Sequence, residues 1–200
     1  MSNRNYYKVN IPSKLETQLS ARTRSDVVSP SIIMVPIRRK NTEARQSVFI
    51  MVKPDGVSRR LVGEVLRRLE QKRLKLLAAN FMIPSQRIAA LHYKQKKNGS
   101  SGLTTKQAVD YLTSGPVFIS IWQGDNALRQ ARNIIGSRTD PGACKPGTIR
   151  RDFAKDSMKA ARAQNRAVRN VVHSSNNVDS AYSEIALWFG RKMREKCENC

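Results

Sequence analysis

The run Ser47-Val48-Phe49-Ile50-Met51-Val52-Lys53-Pro54-Asp55-Gly56 decides how this chain is organised. A short continuous apolar stretch closed by Pro and Gly predicts a strand covered on both faces. Such a strand needs helical layers on either side, and the sequence downstream supplies them. Leu61, Val62, Val65, Leu66 and Leu69 recur at helical spacing while Arg67, Arg68 and Lys72 fall elsewhere, which predicts an amphipathic helix. Leu74–Ile83 reads as a second strand stopped by Pro84, and Ser85 as the N-cap of a helix to about Lys96. Asn98–Gly102 reads as a loop, Thr104 or Thr105 as the start of a helix to Thr113, and Val117–Trp122 as a third strand. Asp125 is placed to N-cap a helix to Ile135, and residues 136–151 read as a long loop rich in Gly and Pro. Val168–Val172 predicts a short fourth strand. Asn176 or Asn177 opens a last helix whose apolar face is Val178, Ala181, Ile185, Trp188 and Phe189. This order predicts an α+β domain over residues 47–189, with helices packed on a mostly antiparallel sheet.

Outside that domain the chain changes character. Residues 1–46 hold nine Lys and Arg against three acids and have few apolar clusters beyond Ile32–Val35. They predict a basic N-terminal extension that orders on a partner rather than on itself. Residues 190–200 read as a basic tail. Cys197 and Cys200 lie on it, and with Cys144 they make an odd count that points to free thiols in a reducing compartment. No second cysteine pair completes a zinc site, so no metal ligands from the protein itself are expected. The whole chain carries 37 Lys and Arg against 15 Asp and Glu, a net charge of +22 over 200 residues. A field of that size concentrates polyanions, which makes nucleic acid or an anionic membrane surface the default partner class, with RNA, or an RNA–protein assembly such as a mitochondrial ribosome, as the expected partner. No run of eighteen apolar residues occurs, so no membrane span is expected. The Arg- and Ser-bearing N-terminus leans towards a mitochondrial rather than cytoplasmic location.

Several stretches resemble, in order and spacing, the nucleoside diphosphate kinase family. They are Lys53-Pro-Asp-Gly-Val, Leu61-Val-Gly-Glu, His92-Tyr93, Ser114-Gly-Pro-Val and Arg132 to Gly136. Lys145 to Arg150, Asp152-Phe153, Arg169-Asn-Val-Val-His173 and Glu184 to Phe189 complete the set. The resemblance covers roughly Ser47 to Phe189. It implies a ferredoxin-like four-stranded antiparallel sheet. It also implies transfer of the γ-phosphate of ATP or another nucleoside triphosphate to a nucleoside diphosphate, with Mg²⁺ carried on the nucleotide. By resemblance His173 is the nucleophile that becomes phosphohistidine, and Glu184 is the acid that fixes its ring. Lys53, Arg132 and Arg150 are implied as phosphate cations, and Tyr93 and Thr139 as hydroxyl donors. Ser137 is an alternative to Thr139, because one extra residue lies between Gly136 and Lys145. Asn170 is implied to hold the sugar hydroxyl. Lys53-Pro54-Asp55-Gly56 also reads as a tight turn in which only Lys53 carries chemistry.

The chain departs from the family at four places. Lys96–Thr105 (KKNGSSGLTT) replaces the stretch that carries a base-stacking aromatic, and Ser174 replaces a glycine beside the nucleophile. The chain ends soon after Phe189, so the usual hexamer is not expected. About ten residues are inserted between Phe153 and Arg169. In that insertion Lys155, Lys159, Arg162, Arg166 and Arg169 recur at helical steps among alanines, predicting one basic helical stripe suited to a phosphate backbone.

Overall fold

The computed structural model describes residues 45–94 and 105–199. The N-terminal extension up to residue 44, the 95–104 segment with Lys96 and Lys97, and Cys200 lie outside the described residues. Four strands form one antiparallel sheet: β1 (Gln46–Val52), β2 (Lys75–Met82), β3 (Val117–Gly124) and β4 (Val172–Ser174), in the order β2-β3-β1-β4. This is the ferredoxin-like arrangement that the motifs imply. β1 is central, with Phe49 opposite Ile121 on one side and Met51 opposite His173 on the other.

Strand alternation explains the two cores. Val48, Ile50 and Val52 point to one face, where they pack with Val65 and Leu69 of α2 (Val62–Gln71) and with Leu128, Ala131 and Ile135 of α5 (Ala127–Ile135). Phe49 and Met51 point to the other. There they meet Ala89 of α3 (Gln86–Lys94), Leu112 of α4 (Thr105–Leu112), and Ile185 and Trp188 of α8 (Val178–Phe189). All five of these β1 residues are buried, so the apolar run is enclosed on both sides as its composition predicts. Removing Phe49 down to Ala would cost about 3–5 kcal/mol in such a setting. On β2, an edge of the sheet, Phe81 is exposed, as is Ile83 just past the strand end.

The capping residues behave unevenly. The Ser85 hydroxyl accepts from Ile88 N at 3.3 Å, and the Asn177 side chain accepts from Ser180 N at 2.8 Å. Asp125, in contrast, does not cap α5. Asn126 occupies that place in a left-handed conformation (φ 51°), without a side-chain cap.

Several segments differ from the expectation. The Lys53–Gly56 turn continues into a short helix, α1 (Pro54–Ser58), because Pro54 sits at its first turn where no N–H is required. The 136–151 loop contains a 3₁₀ turn at Pro141–Ala143 and ends in α6 (Ile149–Phe153), anchored by the buried Ile149. The fourth strand starts at Val172, not Val168. Val172 N donates back to Asn170 O at 2.7 Å around Val171, whose φ is +67°, so the chain turns before it can pair. The C-terminal tail is a helix, α9 (Arg191–Glu198), and Met193 and Cys197 bury themselves in the second core. The basic stripe is not one helix. α7 runs only over Met158–Ala163 and the chain reverses at Asn165 (φ 49°).

Candidate functional site

His173 lies in the middle of β4, on the face shared by Phe49 and Met51. Glu184 comes down from α8 and sets both carboxylate oxygens 3.0 Å from His173 Nε2. Ser175, two residues past His173 and therefore on the same side of the extended chain, donates its hydroxyl to Glu184 Oε2 at 2.6 Å. A carboxylate that accepts on both oxygens places the imidazole proton on Nε2 and the lone pair on Nδ1. Behind this pair, Trp188 Nε1 donates to His92 Nδ1 at 3.2 Å, and the His92 ring meets the His173 ring edge-on at 5.0 Å. His92, His173 and Glu184 could geometrically share an ion, since their ligand atoms lie within 4.8 Å of one another. Each of the three is already engaged in this hydrogen-bonded group. Tyr93 joins from α3. Burial and the neighbouring Glu184 charge push its phenol up to about 12, so it stays a proton donor at neutral pH.

The cationic side is built on the turn before β4. Lys53, at the end of β1, donates Nζ to Asn170 Oδ1 at 2.7 Å and lies 5.6 Å from the Tyr111 ring centre. Asn170 is 1% exposed and passes the connection on, its Nδ2 donating to the Thr139 carbonyl at 2.8 Å. Asp55 braces the strained turn. It accepts from Val171 N at 3.0 Å and from the Tyr111 hydroxyl, and burial with the Asp55 charge raises the Tyr111 phenol far above its usual range. Gly56 makes this packing possible, since a Cβ there would sit 2.7 Å from Val52 Cγ1 and 2.8 Å from the Val171 carbonyl.

Arg150 is buried in the floor. Its Nη2 and Nε donate to the Val172 carbonyl at 2.9 and 3.2 Å, and Nη1 donates to Gly136 and Arg138 carbonyls at 3.0 and 2.8 Å. Burial, reinforced by Arg132 nearby, lowers its pKa to about 10, which leaves it charged at neutral pH. One N–H on Nη2 is left by this set of bonds, so Arg150 here is foremost a clamp between the 136–138 loop and the strand bearing His173. Arg132 is half-buried on α5, donates to Ser137 O at 3.4 Å, and lines a 360 Å³ cleft with Ser137 and Asn176. Thr139 is exposed.

The residues expected in the active site thus fall into three adjoining groups: His173, Glu184 and Tyr93; Lys53, Asn170 and Thr139; Arg132 and Arg150. The insertion residues do not line up. Arg166 turns inward and pairs with Asp156 at 2.5 and 3.0 Å, while Lys155, Lys159, Arg162 and Arg169 stay exposed. Sequence reasoning misses the roles of Ser175 and Tyr111 and gives Asp55 only its place in the Lys53–Gly56 turn. Ser175 had a readable signal in its two-residue offset from His173, whereas the Asp55–Tyr111 contact spans 56 residues and had none.

The family model described as nucleoside diphosphate kinase matches residues 46–193. The nucleoside diphosphate kinase of Symbiobacterium thermophilum is 44% identical over 142 residues, covering 71% of this chain and 85% of that one. Nucleoside diphosphate kinase 1 of Arabidopsis thaliana is 44% identical over 146 residues, covering 72% and 87%. Among solved structures, the Borrelia burgdorferi nucleoside diphosphate kinase with bound vanadate and ADP superposes with a TM-score of 0.69 at 31% identity, covering 75% of this chain and 90% of that one. With the sheet order, the imidazole–carboxylate pair and these likenesses in agreement, the chain belongs to the nucleoside diphosphate kinase family.

Proposed function

We propose that His173 Nδ1 is the atom that carries the phosphate in this kinase. The enzyme moves the terminal phosphate of a nucleoside triphosphate to a nucleoside diphosphate. In the first half, the Nδ1 lone pair attacks the γ-phosphorus, the bond to the bridging oxygen breaks, and the diphosphate leaves with that electron pair. In the second half, a terminal β-oxygen of another diphosphate attacks the phosphorus and the N–P bond breaks. The observation that supports this reading is the paired 3.0 Å contact from Glu184 to Nε2, which orients the lone pair and stabilises the positive charge that develops on the ring.

Phosphoryl transfer asks the protein mainly for positioning and positive charge. Lys53 and Arg132 are the cations of this set with side chains at least partly open to solvent, and Tyr93 keeps a hydroxyl proton to donate. Arg150 would meet an oxygen through its remaining Nη2 hydrogen while holding the floor. Asn170 would meet the sugar hydroxyl with the second Nδ2 hydrogen or the Oδ1 lone pair that its Lys53 and Thr139 contacts do not use. Asp55 and Glu184 are occupied by Tyr111, Val171, Ser175 and His173. A divalent ion such as Mg²⁺ therefore arrives on the nucleotide's phosphates, as part of the substrate. Incubation with γ-labelled ATP is expected to give an acid-labile phosphoprotein that His173→Ala abolishes. A labelled His173→Ala protein would defeat the assignment.

A second reading concerns the surplus charge. We propose that the exposed cations of the insertion serve a polyanion of the RNA class. Among the described residues, Lys155, Lys159 and Arg169 have no acidic side chain within ion-pair distance, unlike Arg166. Full-length protein is expected to bind single-stranded RNA with an affinity that falls steeply as salt rises, and indifference to salt would remove this reading.

A further inference from the structure

The inserted segment builds a surface that the kinase chemistry does not use. A cleft of about 460 Å³ lies between the end of α1, the Ser114–Pro116 turn and the insertion. Its walls carry Arg59, Lys155, Arg166 and Arg169. The two acids in the same wall are committed elsewhere, Asp55 to Tyr111 and Val171, and Asp156 to Arg166 and to Arg169 N at 2.9 Å. Burial opposes the charge on Asp156, but the Arg166 guanidinium and the backbone N–H groups of Arg169 and Ser157 outweigh it and hold the pKa at about 2. Arg59, Lys155 and Arg169 remain as cations without an acidic partner among the described residues. A second cleft, of about 350 Å³, is also lined by Lys155 and Asp156 and adds Arg151 and Ser157.

Two clefts lined in common by Lys155 and Asp156 adjoin along the insertion, and their charge changes the expected ligand. A free phosphate needs one convergent set of donors. Cations spread along adjoining hollows, each roomy enough for a nucleotide, suit a flexible chain with a charge at every step. We propose that the Arg59–Arg169–Lys155–Arg151 furrow binds the phosphodiester backbone of a single-stranded nucleic acid. Described aromatic residues other than Tyr111 are absent from the two walls, so binding is by charge and independent of base sequence. The assignment rests on the polyanion reading above. It replaces the face of α7 with a furrow beside it and makes Arg59, which lies outside the insertion, part of the site.

The test uses the full chain and a labelled oligouridylate of about 12 nucleotides at about 0.1 M salt. Arg59→Ala/Lys155→Ala/Arg169→Ala is expected to weaken binding about tenfold and to lower the slope of log affinity against log salt by about two. A control of equal charge loss on scattered exposed positions, Lys72→Ala/Arg87→Ala/Lys192→Ala, is expected to lose less than about threefold, because it removes field but no contacts. Equal losses in the two variants overturn the furrow while leaving the polyanion reading in place. No binding by the unaltered chain removes both. A duplex of the same length that binds more tightly through the same three residues overturns the single-strand assignment. Photo-cross-linking of the unaltered protein provides a second measurement that needs no substitution. Cross-linked peptides should come from residues 155–169 and from around Arg59, and cross-links confined to other segments contradict the proposal.

Discussion

His173 and the insertion that precedes it lie within one stretch of chain, yet they are held in opposite ways. Around His173 buried polar groups answer one another: Nε2 by Glu184, Glu184 by Ser175, His92 by Trp188. In the insertion one partly buried ion pair, Asp156 with Arg166, folds the segment, while Lys155, Lys159, Arg162 and Arg169 project outwards. The first arrangement fixes the position and orientation of one atom, which covalent phosphate transfer requires. The second fixes only a density of charge, which is sufficient for a flexible polyanion. The contrast predicts that conservative changes are costly in the first region and nearly silent in most of the second.

The largest effect should come from Glu184→Gln. The amide offers both a donor and an acceptor to Nε2, so the imidazole proton is no longer confined to that nitrogen. Phosphoenzyme formation, followed by rapid quench, is expected to slow by roughly 10²–10⁴-fold with little loss of fold. A drop under threefold would mean that the carboxylate does not set the tautomer. Next is Gly56→Ala, whose Cβ meets Val52 and the Val171 carbonyl and pushes on the turn that positions β4. About 1–3 kcal/mol of stability should be lost in denaturant titration, together with some activity. Unchanged stability would show that the turn has slack.

Within the insertion, Asp156→Asn should be the sensitive change. It removes the anion from a pair that organises Arg166 and the Arg169 and Ser157 N–H groups, and about 1–3 kcal/mol should be lost. The pH dependence has a definite sign. A folded-state pKa near 2 lies below the unfolded carboxyl value of about 4, so this contribution is complete above pH ~4 and fades as pH falls towards 2. Thermal melts of the wild type and Asp156→Asn should converge over that window, and parallel curves would deny the clasp its role. The smallest effect belongs to Lys159→Ala with Arg162→Ala on α7. These side chains are exposed and pair with no acid among the described residues, so stability should stay within about 0.5 kcal/mol and phosphotransfer should be unaffected.

The same contrast governs what the sequence disclosed. The sandwiched strand at Val48–Val52, the apolar stripe of α2 and the Asn177 cap were readable because local pattern and tertiary burial agree there. The Glu184 partnership followed from resemblance and is present in the geometry. The Val171 turn escaped notice because no propensity favours a valine at positive φ. Asp55, brought 116 residues along the chain, the Lys53 N–H donated to the Val171 carbonyl and the close approach allowed by Gly56 together hold it. The basic stripe misled because periodicity cannot show that Asp156 captures Arg166 and bends the segment. Met193 and Cys197 gave α9 away only weakly, since two apolar positions among charges read equally well as a tail.

The proposed phosphotransfer turns on which nitrogen of His173 receives phosphorus. Phosphorus-31 and nitrogen-15 NMR of the phosphoenzyme, made from ATP and uniformly ¹⁵N-labelled protein, measures this directly. Coupling from phosphorus to Nδ1 of His173, with Nε2 still protonated against Glu184, is the predicted result. Phosphorus on Nε2, or on His92, would contradict it.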